Sequence, residues 1–228
     1  MAGEIRSLFL EGPAGRLEAL LNAGEAEASH AALVCHPHPL YGGSMHNKVV
    51  FHAMKSLNGF GLPVLRFNFR GAGLSEGEHA QGKGETEDVR AALDWLEQEF
   101  DRPIVFCGFS FGASVGLRAA CPDPRVVALI SLGTPVLVEG RAYSYEILSA
   151  CTKPKLMVSG ARDLFGPAAQ LQSVFAHAAE PKKLVILEGA DHFFDGRLRE
   201  LQGAIESWLP EAVPGLRKKP AADWRRSE

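Results

Sequence analysis

The sequence predicts an α/β domain: a central, mostly parallel eight-stranded sheet, antiparallel at its N-terminal edge and covered by helices on both faces. Three observations carry this. Short runs rich in β-branched and aliphatic residues recur, each bounded by Gly or Pro. Stretches of helical periodicity separate several of them. The runs are continuously apolar rather than alternating, which requires cover on both faces of the sheet.

The elements follow in order. Residues 5–10 and 16–21 are two strands joined across Glu11-Gly12-Pro13-Ala14-Gly15, a turn-forming segment, and so make the antiparallel edge. Buried strands are expected at 31–35, 63–69, 103–107, 126–132, 155–159 and 183–187, and helices at 46–57, 85–100, 110–120, 168–178 and 196–208. The second helix is the clearest. There Val89, Leu93, Leu96 and Phe100 recur at three- and four-residue steps, with Glu87, Arg90, Asp94 and Glu97 on the other face. Residues 1–213 read as one domain, within the size that a single core supports. Residues 214–228, with Arg217, Lys218, Lys219, Arg225 and Arg226 and no apolar periodicity, read as a flexible basic tail.

Composition narrows the partners. The formal net charge of −3 provides no overall basic field to hold nucleic acid or an anionic membrane, so a small molecule is the expected partner. Glu4, Arg6, Glu11 and Arg16 interrupt any apolar run near the N-terminus, which makes a cytoplasmic location the default. The four cysteines, Cys35, Cys107, Cys121 and Cys151, lack CxxC spacing and read as reduced and structural.

The chemistry begins where residues 103–107 run into Gly108-Phe109-Ser110-Phe111-Gly112 and then into a helix-forming segment. A serine on a sharp strand-to-helix turn is strained, and only small neighbours fit two residues to either side. Ser110 is therefore the candidate nucleophile, with the Phe111 N–H as an oxyanion donor; a Gly/Ser-rich turn without chemistry is the alternative. A serine hydroxyl needs a base, and His192 lies on the loop past the strand at 183–187, at the same sheet edge. A carboxylate must then orient that imidazole. Asp163, past the strand at 155–159, gives the chain order Ser, Asp, His, whereas Asp191 is a rival by adjacency only. Asp163 could instead be a helix cap or surface charge ahead of Leu164-Phe165-Gly166-Pro167. Solvated roles suffice for His30, His52, His79 and His177.

With these residues in place, nearly the whole chain resembles the α/β-hydrolase superfamily. The segments Asn68-Phe69-Arg70-Gly71-Ala72-Gly73-Leu74-Ser75 and Gly160-Ala161-Arg162-Asp163 are similar to its loop after the fourth strand and its acid loop. Within the superfamily the chain is most similar to small bacterial serine esterase-like members with a His-Pro-His-Pro segment followed by Gly-Gly, here His36-Pro37-His38-Pro39-Leu40-Tyr41-Gly42-Gly43. The resemblance implies an α/β-hydrolase fold and a carboxylesterase activity on a small ester, without a cofactor. In place of the commoner His-Gly motif stand Pro37 and Pro39, which have no N–H. The second oxyanion donor is then expected at His38, with Leu40 as second choice. Only about 20 residues, 134–153, separate the sixth strand from the seventh, too few for a substantial cap domain.

Other readings remain. His36, His38 and His46 suggest a metal, but the prolines restrict convergence and no acidic ligand is close in sequence, so no metal is expected. A thioesterase, lactonase or peptidase would use the same triad. The partly similar dienelactone hydrolases use cysteine, where position 110 is serine. A non-catalytic scaffold on this fold is the reading from another class.

Overall fold

The computed structural model describes residues 4–219 except 139 and 142. Eight strands form one sheet: β1 (Ile5–Gly12), β2 (Gly15–Asn22), β3 (Ala31–Cys35), β4 (Val64–Phe67), β5 (Ile104–Phe109), β6 (Val126–Leu132), β7 (Lys155–Gly160) and β8 (Lys182–Leu187). Their order is β1-β2-β4-β3-β5-β6-β7-β8. The first two strands form an antiparallel hairpin, β2 joins β4 antiparallel, and every later pairing is parallel. The antiparallel edge therefore lies where the turn at Gly12 to Gly15 put it.

Five helices cover the sheet among the described residues: α1 (Lys48–Asn58), α2 (Lys83–Phe100), α3 (Phe111–Ala120), α4 (Ala168–His177) and α5 (Leu198–Ala212). The strands divide their side chains between two cores, as the period of two demands. On β5, Ile104 and Phe106 face a cluster with α2 and α3, whereas Val105, Cys107 and Phe109 face one with α1 and α5. All four cysteines are free and buried, two of them on β3 and β5.

Most boundaries differ from expectation by a few residues, and three of the differences have a local reason. Helix α1 starts at Lys48 rather than 46, because the Asn47 side chain accepts the Val49 N–H and caps it. Helix α5 runs through Pro210 to Ala212, since buried Leu209 and Val213 hold its last turn on the core. Of the tail expected over 214–228, residues 214–219 are exposed except Leu216, which joins the α1 and α5 cluster, and the Lys219 N–H donates to Gly59 O at 3.0 Å. A basic-looking segment with one anchoring leucine reads as solvated in sequence. Residues 220–228 lie outside those described. Between β6 and β7 the described residues hold one short 3₁₀ turn, Glu146–Ser149, and no cap domain. No helix among the described residues is long and apolar enough to cross a membrane.

Candidate active site

Ser110 sits between β5 and α3 with φ of 54° and ψ of −120°, a left-handed conformation that a non-glycine residue holds only when its surroundings enforce it. They do so here. The Ser110 N–H donates to Leu132 O on β6 at 2.9 Å. A Cβ on Gly112 would come within 2.5 Å of His36 O, and one on Gly108 within 2.5 Å of Gly112 O. The glycines expected from the motif are thus required by close backbone contact with β3 and with the first turn of α3.

His192 and Asp163 reach Ser110 because the loops after β7 and β8 press together. The Arg162 N–H donates to Ala190 O at 2.9 Å, and a Cβ on Gly160 would lie 2.4 Å from that same carbonyl oxygen. The result is a continuous hydrogen-bonded line. Ser110 Oγ lies 3.0 Å from His192 Nε2, and His192 Nδ1 lies 2.8 Å from Asp163 Oδ2. With Nδ1–H donating to the carboxylate, Nε2 is left to accept the serine proton. The rings of Phe109, Phe165 and Phe193, with centroids 5.1, 4.7 and 5.2 Å from that of His192, wall the imidazole.

The two acids part clearly. Asp163 is buried, and its Oδ1 accepts the N–H groups of Phe165 and Gly166 at 2.8 and 2.9 Å while Oδ2 meets the histidine. It is a loop anchor and an imidazole partner at once. Burial alone would raise its pKa; the bond and charge of His192, with the two amides, outweigh that and hold the carboxyl below its ordinary value. Asp191 turns away, its Oδ1 accepting from the N–H groups of Phe193 and Asp195, each at 3.0 Å.

The segment after β3 bends back over the nucleophile. The His38 and Phe111 amides flank the same cleft as Ser110, and among the described residues neither N–H has an acceptor. The N–H of Leu40, the second choice for the oxyanion donor, is engaged, donating to His38 Nδ1 at 3.2 Å. That bond caps a tight 3₁₀ turn over Pro39–Tyr41, which no spacing argument reveals. Asn68, in the loop after β4, supports the segment by accepting the Met45 N–H at 2.8 Å.

The histidines of this segment are committed to backbone rather than to an ion. His36, fully buried, donates from Nδ1 to Pro37 O at 2.6 Å and accepts the Phe69 N–H on Nε2 at 2.9 Å. Burial lowers its pKa to about 3, and that of His38 falls to about 4 through burial and then the charge of Arg141. His79 is not solvated as expected, since it lies against His38 and its Nδ1 is 2.7 Å from buried Glu85. Linkage gives an expected result. In the unfolded chain His36 binds a proton below about pH 6.5, and in the fold only near pH 3, so stability is full above 6.5 and falls as pH drops through that window. Between pH 6.5 and 4.5, above the range of most carboxylates, the loss is about 2–3 kcal/mol. Urea midpoints measured across this range should fall, and His36→Gln should flatten the slope; a wild-type midpoint constant from pH 6.5 to 4.5 would contradict the assignment.

Ser110 opens into a cleft of about 410 Å³ whose walls include Pro135, Val138, Tyr143, Phe165 and Phe193. An adjoining polar cleft of about 510 Å³ shares His38, Phe111, Arg141 and Tyr143 and adds His79, Gln81 and Arg118. The sequence reading missed this second cleft. Its only linear trace is Arg118, eight residues beyond Ser110 on α3 and so near the nucleophile's side of that helix.

Residues 30–212 match the family described as an alpha/beta hydrolase domain, and the chain belongs to that family. An uncharacterized protein of Rickettsia prowazekii is 34% identical over 209 residues, 89% of this chain and 87% of that protein. Among solved structures, an alpha-beta serine hydrolase homologue from Coxiella burnetii is similar with a TM-score of 0.82 and 38% identity, over 90% of this chain and 97% of that one. A serine hydrolase without lid from Xanthomonas campestris has a TM-score of 0.81 and 31% identity, over 94% of this chain and 97% of that one. The protein is an α/β-hydrolase of open, lidless design.

Proposed function

We propose that the protein is a serine esterase that cleaves small carboxylic esters through an acyl-enzyme, with Ser110 as nucleophile, His192 as general base and acid, and Asp163 as the group that orients the imidazole. The observation that carries the reading is the line from Ser110 Oγ through His192 to Asp163, at 3.0 and 2.8 Å, with the serine held at a φ of 54° above an open cleft. The serine hydrolase descriptions of the Coxiella and Xanthomonas proteins support it.

In the reaction, His192 Nε2 takes the hydroxyl proton as Ser110 Oγ attacks the ester carbon. The oxyanion forms at the start of α3, where the Phe111 amide and the partial positive charge of the helix terminus meet it, with the His38 amide opposite. Asp163, ionised, stabilises the imidazolium. The imidazolium then protonates the departing alcohol, and a water activated by the same histidine releases the acid. A panel of p-nitrophenyl butyrate, a butyryl thioester, a lactone and an anilide tests the class: the ester should turn over fastest, with a burst of nitrophenol equal to the enzyme concentration where deacylation is slow. Faster thioester or anilide cleavage would reassign it.

Space beside Ser110 also limits chain length. The two adjoining clefts, of about 410 and 510 Å³, and the lack of an inserted cap among the described residues favour butyryl over palmitoyl esters by roughly tenfold or more in kcat/KM, and the route needs no metal, so EDTA should leave the rate unchanged. A rate that rises steadily towards palmitate at a lipid interface, or one that EDTA abolishes and zinc restores, would contradict this.

A further inference from the structure

The polar cleft beside the nucleophile is electrostatically unfinished. Arg118 donates its Nε–H to Thr86 Oγ1 at 3.3 Å and an Nη2–H to Gly82 O at 3.0 Å, both neutral acceptors. The Arg141 guanidinium stacks over the Tyr41 ring at 4.9 Å. Among the described residues neither arginine meets a carboxylate. Glu85, whose carboxylate lies 2.7 Å from His79 Nδ1, is fully buried and accepts the N–H groups of Ala80 and Gly82. Arg125, by contrast, meets Asp94, Glu97 and Asp123, whereas Arg66 and Arg102 bond to neutral acceptors without lining the cleft. Two half-buried guanidinium groups left open beside a reactive serine face an anion that is not part of the chain.

The position of Arg118, which lines only the polar cleft, points to the half of the substrate that carries that anion. His192 lines only the apolar cleft. The leaving alcohol takes its proton from His192 Nε2, so it departs on that side, among Phe165 and Phe193. The acyl group extends the other way, past Phe111. Arg118 lies about 12 Å beyond Ser110 along the axis of α3, but its side chain folds back towards the helix start. A Cβ on Gly82 would be 2.8 Å from Arg118 Nη2 and 3.8 Å from Phe111 Cε2, so guanidinium and ring are neighbours. Arg141 stands at the boundary, lining both clefts beside His38 and Phe111.

We infer that the substrate is a monoester of a dicarboxylic acid, its free carboxylate held by Arg118 and Arg141 and its alcohol half apolar. The inference rests on the esterase reading and names its substrate class. Ser110 Oγ bonds to the ester carbon, the bond to the alcohol oxygen breaks, and the alcohol leaves with the proton from His192. Water then donates its hydroxyl to the acyl carbon and its proton through His192 to Ser110, which frees the dicarboxylate.

The test compares p-nitrophenyl hydrogen adipate, p-nitrophenyl hexanoate and p-nitrophenyl 6-(trimethylammonio)hexanoate, which share acyl length and leaving group. The adipate should have the highest kcat/KM, by roughly tenfold over the hexanoate and mostly through KM, with the advantage falling as NaCl is added. Arg118→Gln and Arg141→Gln should each lower the adipate-to-hexanoate ratio severalfold, and Arg118→Lys should keep most of it. Because the readout is a ratio within one variant, a general loss of folded enzyme does not move it. If hexanoate is hydrolysed but the ratio is one or less, or neither glutamine variant changes it, the inference is overturned and the esterase reading stands. If no ester turns over and Ser110 takes no covalent label, the esterase reading fails and this one with it.

Discussion

Ser110→Ala is expected to reduce ester turnover by roughly 10⁵-fold or more, leaving only what binding and the oxyanion donors supply. Among the described residues no other hydroxyl bonds to His192. Ser114, one turn further on α3, is buried, and His192 Nε2 bonds to Ser110 Oγ. Ser114→Ala should therefore keep activity within a few fold of wild type. The alanine at 110 relieves no contact that the core needs, so the variant should melt close to wild type; with its left-handed φ of 54° the position is already strained in the native chain. Purified variants compared on p-nitrophenyl butyrate check this. A Ser110→Ala enzyme that retains a tenth of wild-type kcat would remove the serine from the mechanism.

The second large effect separates the two aspartates. Asp163→Asn should cost roughly a thousandfold in kcat while the fold survives. Its remaining carbonyl oxygen can still accept the Phe165 and Gly166 amides that Oδ1 now holds. The new amide nitrogen then faces His192 Nδ1 as a donor, which favours the tautomer with the proton on Nε2. An Nε2–H cannot accept the serine proton. Asp191→Asn keeps an oxygen for the Phe193 and Asp195 amides and should cost less than about tenfold. Both are measured at saturating ester after circular dichroism matches wild type. A crippled Asp191→Asn beside a near-normal Asp163→Asn would reverse the assignment.

What could be read from the sequence follows from how locally each feature is determined. The hairpin edge, the buried strands and the turn at Ser110 are written in contiguous residues, and the fold has them where periodicity and glycine spacing place them. His192 and Asp163 could be found because each follows a recognisable strand and the parallel sheet brings such loops to one edge. The second oxyanion donor proposed opposite Phe111 was harder to choose, since nothing in sequence shows that the Leu40 N–H is taken up by His38 Nδ1 at the turn over Pro39–Tyr41. His79 read as solvated because nothing in sequence places it against His38 and Glu85. The cationic wall of Arg118 and Arg141 was invisible for the same reason: its members come from α3 and from the chain beyond β6, and only the folded cleft joins them.

The central claim is that Ser110 is an activated nucleophile, and covalent capture tests it without knowledge of the natural ester. The protein is treated with a fluorophosphonate probe, digested, and the adduct located by mass spectrometry. The account predicts one adduct, on the peptide containing Ser110, lost in Ser110→Ala and slowed by orders of magnitude in His192→Ala. An intact, folded protein that takes no label, or one labelled at a different residue, would contradict it.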